Sequence, residues 1–68
     1  MAASDAPTVV CTYPPRRYAA GFAAVLREHG IPAAVVPSDR HVGEWDVLVA
    51  ARDAARASEV IQELLAAV

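Results

Sequence analysis

Two groups of residues in this chain have side chains suited to holding a ligand. Arg16-Arg17-Tyr18 follows a Pro14-Pro15 pair, and Arg40-His41 precedes Trp45 by a few positions. Guanidinium forks suit carboxylates and phosphates. At the start of a helix, where free amides and the dipole favour negative charge, Arg16 and Arg17 would attract a small anion or an acidic peptide. The candidate ligand-binding set is Arg16, Arg17, Tyr18, Arg40, His41 and Trp45. His41 can titrate near neutral pH, and the Trp45 ring either caps the core or offers a stacking surface. The plain alternative is a solvated arginine pair beside a polar loop that holds nothing.

Catalytic chemistry has no such candidates. No paired carboxylates, activated nucleophile or Gly-rich phosphate loop stands out. Cys11 is the only cysteine, which excludes an internal disulfide and a metal site built on cysteines. Within a strand it reads as a small apolar group. No catalytic residue, metal ligand or cofactor is assigned, and the chain reads as non-enzymatic.

The elements that must position these residues follow from local pattern. Residues 1–7 read as a disordered N-terminal tail and 8–68 as a single domain. Thr8 to Tyr13 is β-branched and aromatic, and stops at the two prolines, as a strand does. Pro15 suits the first turn of a helix. Tyr18, Phe22, Val25, Leu26 and His29 then recur at helical spacing beside Ala19 and Ala23. Gly30 suits the helix exit, while Gly21, mid-helix, suggests close approach to the sheet. Residues 31–37 read as a short strand flanked by prolines, tolerable at an edge. Residues 38–44 are a polar loop, and Trp45 to Ala50 is the clearest strand. Asp53 can cap a second helix, whose apolar stripe is Ala57, Val60, Ile61, Leu64, Leu65 and Val68.

The order is β–α–β–β–α. A right-handed crossover followed by a hairpin gives a ferredoxin-like α+β sandwich in two layers. The third strand lies between the first two, both helices cover one face, and the fourth strand is lacking. This packing needs Val47 and Leu64 in one core. Val47 and Val49 face the helices, so Leu48 faces the uncovered side, joined there by Val10 or its neighbours on an open edge strand.

The chain has 68 residues, which leaves a domain marginal unless a partner or staple adds burial. With no disulfide available, a homodimer is the favoured remedy, and Val10 and Leu48 are the candidate dimer surface; an unusually well packed monomer is the alternative. Net charge is −2 and all six cations are arginine, which argues against a nucleic-acid partner. No apolar run is long enough to span a membrane. The first residues lack the pattern of a signal peptide, and with a lone cysteine this points to the cytoplasm. The partner would be a second copy, with another protein or a small anion as ligand.

Known activities of ferredoxin-like domains require residues this chain lacks. Acylphosphatases need an asparagine, and there is none; metallochaperones of this fold need Cys-x-x-Cys. RNA-recognition modules need aromatic residues on central strands in a basic setting. The segment Leu26-Arg27-Glu28-His29-Gly30-Ile31-Pro32-Ala33, then Trp45-Asp46-Val47-Leu48-Val49 and Arg52-Asp53-Ala54-Ala55-Arg56-Ala57, resembles the family of prokaryotic signal-transducing proteins of unknown function with a PII-like fold. The resemblance spans residues 8–67. It implies a PII-like βαββα domain and a signal-transducing role, and it brings no catalytic residues. Nucleotide binding is not implied, since the loop at 38–44 is short and a fourth strand is missing. A sporulation-related repeat, which binds peptidoglycan, shares the element order and is the rival reading.

Overall fold

The computed structural model describes residues 6–67. Strand β1 (Pro7–Tyr13), helix α1 (Arg16–Glu28), strands β2 (Ala33–Pro37) and β3 (Trp45–Ala50), and helix α2 (Ala54–Ala66) follow in order, with a short 3-10 turn at Ala51–Asp53. The sheet order is β1-β3-β2, and both outer strands run antiparallel to β3. The fold is therefore α+β and ferredoxin-like, and no fourth strand follows among the described residues. No helix among them is long and apolar enough to cross a membrane.

The exit of α1 shows how sequence fixes local geometry. Gly30 takes φ +81°, a left-handed conformation that costs glycine little. Its amide donates to the Arg27 carbonyl and the Ile31 amide to that of Leu26, both at 2.9 Å. This paired closure satisfies carbonyls that the helix end would leave open. It also lays Ile31 against Leu26, and both side chains are fully buried. Ile31 thus belongs to the helix exit, and β2 starts at Ala33.

The core consists of Ala19, Ala23 and Leu26 from α1, Ile31, Val47 and Val49 from β3, and Ala57, Val60 and Ile61 from α2. Val47 and Val49 share one face of β3, so both helices lie on that face. On α1 the row against the sheet is Ala19–Ala23–Leu26; the two alanines let the helix approach closely and Leu26 fills the space at its exit. Tyr18 and His29, read as part of the stripe, are exposed.

Several other expectations need correction. Leu64 is half-buried, Leu65 is 53 % exposed, and neither joins the cluster around Val47. The condition set on Val47 and Leu64 therefore fails as stated; the two helices share one core with Val47 through Val60 and Ile61 instead, and that core ends one turn short of the stripe, while Val68 lies outside the described residues. Gly21 is exposed and meets no neighbour, so it does not bring α1 close to the sheet. Pro15 stands just before the first turn, at the N-cap, where its carbonyl accepts the Tyr18 amide at 3.0 Å. Asp53 holds the N-cap position of α2 but makes no side-chain cap bond. The expected tail is shorter at its inner end: Pro7 is already in β1, and the Ala6 carbonyl accepts the Ala51 amide at 3.1 Å. Residues 1–5 lie outside the described part.

A bulge in β1 corrects the expected dimer surface. Register against β3 shifts between Val9 and Cys11. The extra residue, Val10, packs toward the core. Of Val10 and its neighbours it is Val9, opposite Leu48, that lies on the uncovered face.

Candidate functional site

The topology gathers the ends of β1 and β2, the start of β3 and the tail of α2 at one end of the molecule. Here the six ligand-binding candidates separate. The Arg16 guanidinium lies 5.5 Å from the centre of the Trp45 ring, a cation–π contact worth about 0.5–1 kcal/mol at an exposed site. Trp45 is half-buried and packs against the core, so it caps the sheet end. Arg17 instead lies over its neighbour Tyr18, 5.6 Å from the ring centre. Consecutive helical residues project about 100° apart, so the two guanidiniums serve different rings on different flanks.

Arg40 and His41 sit in the exposed connection between β2 and β3. Ser38 organises that loop. Its amide donates to the Glu44 carbonyl at 2.9 Å, and its hydroxyl accepts the Arg40 and His41 amides at 3.2 and 3.1 Å. Gly43, at φ +85°, supplies the left-handed turn that returns the chain to β3. The backbone of the loop is thus defined, and the side chains of Arg40 and His41 face solvent. Among the described residues no hydrogen bond or cation–π contact joins either to Arg16 or Trp45.

Beside Arg17 and Tyr18 the structure shows a groove that the sequence reading missed. It runs between the helices, lined by Phe22, Val25, Leu64 and Leu65, with a volume of about 310 Å³. A second hollow of about 800 Å³ continues it over Tyr13, Pro14 and Pro15. The Tyr13 and Phe22 rings stack with centres 4.8 Å apart and form its floor. The sequence signal was the width of the α2 stripe: its last turn carries more apolar surface than a short sheet can cover.

The opposite side of the sheet carries no helix among the described residues. Val9 and Leu48 meet there across the β1–β3 ladder. Beside them a shallow hollow of about 330 Å³ is lined by Pro7, Pro32, Ala34, Leu48 and Ala50. One polar pair interrupts this apolar surface: the Thr12 hydroxyl donates to the Asp46 carboxylate at 2.7 Å. The bond leaves Asp46 partly satisfied within the sheet.

Cys11 faces the helices, opposite Val47. Burial first, and the Asp46 carboxylate second, push its thiol from the usual 9.0 up to about 11. Both influences disfavour the thiolate, which makes the thiol a poor nucleophile, in keeping with its reading as a packing residue. Burial also raises the Tyr13 phenol, with a smaller effect from Cys11. Among the described residues no group of three His, Cys, Asp or Glu side chains can hold a metal ion. No family model, no curated protein and no solved structure matches this chain, so the reading of the site stands on its own residues.

Proposed function

We propose that this chain is a non-enzymatic interaction module of the signal-transducing kind, working as a homodimer in the cytoplasm. The observation that carries this reading is the one-sided sheet. Its helix-covered face holds the core of the described residues, while no helix among them covers Val9, Leu48 and their neighbours on the other face. Contiguous apolar surface beside a free strand edge is an association surface.

The size of the core supports the same reading. Among the described residues three of the nine in the core are alanine, so apolar burial is thin even for a domain of this length. A partner copy supplies the missing burial, since a single cysteine cannot close an internal disulfide. Anion capture has weaker support, because Arg16 and Arg17 do not converge on one pocket.

Sedimentation equilibrium of the full chain tests the proposal. At roughly 100 µM, where an interface of even 10 µM affinity is well populated, the expected mass is about twice the 7.2 kDa of one chain. A monomer at that concentration overturns it.

A further inference from the structure

The two edges of the sheet differ in what they offer. On β2 the Ser38 amide bonded to the Glu44 carbonyl marks a hydrogen-bonded pair. Antiparallel ladders alternate, so Val36 with Asp46 and Ala34 with Leu48 are the next such pairs. Ala33, Val35 and Pro37 therefore turn their backbone groups to the free edge. Pro37 has no amide. The Ala33 carbonyl already accepts Nη2 and Nε of Arg27, at 2.8 and 3.1 Å. Only Val35 offers both an amide and a carbonyl, and this edge is blunted in the way sheets avoid unwanted pairing.

On β1 the Ala51 amide bonded to the Ala6 carbonyl makes Thr8 with Val49 the next hydrogen-bonded pair. Val9 is then turned outward. Beyond the bulge, Leu48 and Asp46 serve β2, so Val47 and Trp45 serve β1, opposite Cys11 and Tyr13. Thr12 is turned outward as well. This edge offers amide and carbonyl at two residues, Val9 and Thr12, in a strand without a single charge.

We propose that a second copy of this chain adds its β1 to this edge, antiparallel, about a two-fold axis between Val10 and Cys11. This rests on the homodimer reading above and names the surface that forms it. The register sets Val9 opposite the partner's Thr12, and Thr12 opposite the partner's Val9. The outward groups of each copy thus meet those of the other. Faces agree too: Val9 and Thr12 both lie on the uncovered side, while Val10 and Cys11 both pack toward the helices. The bulge, which would spoil pairing with a regular strand, meets its own equivalent. That self-match selects a second copy over an unrelated peptide, and two-fold symmetry makes the interface closed. The absence of charge on β1 means that self-pairing brings no like charges together.

The test is sedimentation of the full chain and its variants, with folding checked by circular dichroism. Val9→Pro removes an outward amide that the β1–β3 ladder does not use, and should weaken the dimer about 100-fold, since two interchain bonds are lost. Val9→Ala keeps the amide and should stay dimeric, as should Val35→Pro on the other edge. A folded Val9→Pro whose dissociation constant, read from a dilution series, equals that of the wild type overturns the edge pairing. Dissociation by Leu48→Glu would then assign the dimer to the uncovered face and leave the homodimer reading intact. A wild-type monomer overturns both. If Val9→Pro does not fold, amide exchange on the wild type decides: protection at Val9 and Thr12 that disappears on dilution supports the pairing, and equal exchange in dimer and monomer rules it out.

Discussion

The helix pair is anchored at one end and open at the other. Where α1 stops and α2 starts, Leu26, Ile31 and Ala57 are fully buried. Two arginines tie that end down: Arg27 donates to the Ala33 carbonyl, and Nη2 of Arg56 donates to the His29 carbonyl at 2.9 Å. At the far end, Tyr18 and Leu65 are each 53 % exposed and a groove lies between the helices. The contrast teaches where a thin core is spent. Its few large side chains are concentrated where α1 turns back into the sheet, and the opposite end keeps apolar surface in solvent.

The comparison breaks most readily at the anchored end. Leu26→Ala should cost about 3 kcal/mol in a denaturant titration, because it removes a fully buried side chain and leaves a cavity. Leu65→Ala, at the open end, should stay within about 0.5 kcal/mol of wild type. Equal losses would mean that the two ends share one core after all.

Cys11, beneath the helices, gives a chemical measure of closure. At pH 8 its thiolate should be about a hundredfold scarcer than that of an exposed cysteine, and alkylation should slow to match. The sign of the linked stability follows. The folded thiol keeps its proton to about pH 11, while the unfolded one loses it from 9.0. Folding stability from this group is thus complete below pH 9 and falls as pH rises toward 11. Alkylation at the rate of an exposed thiol would show that this part of the sheet is not covered.

Smaller effects sharpen the contrast. Arg56→Ala should lower stability by about 1 kcal/mol, the net worth of one exposed bond with a charged donor. Substitution of a groove arginine, Arg17→Ala, should change it less. Gly21→Ala should raise stability by about 0.5 kcal/mol, since a Cβ there meets open space and glycine is a poor helix former. Thermal denaturation of the three variants side by side resolves these differences.

Much of the architecture was legible residue by residue. Trp45–Ala50 is a strand with the bounds its alternation predicts, and Val47 and Val49 are buried while Leu48 is not. Gly30 ends α1 as its conformational freedom suggests. The site was less legible. Arg16 and Arg17 are adjacent in sequence, yet one reaches Trp45 and the other Tyr18, and which ring each meets depends on helix rotation against the sheet. The groove was invisible for a related reason: apolar periodicity shows which side of α2 is greasy, and says nothing of how far the sheet extends beneath it.

Periodicity, proline stops and the glycine exit are properties of neighbouring residues, so the order of elements and the covered side of β3 were set by the chain itself. The bulge at Val10, the exclusion of Leu64 and Leu65 from the core and the parting of the two arginines depend on register and on the distance between layers. Those are fixed only when the strands pair and the helices settle, because a shift of one residue turns a side chain to the other face.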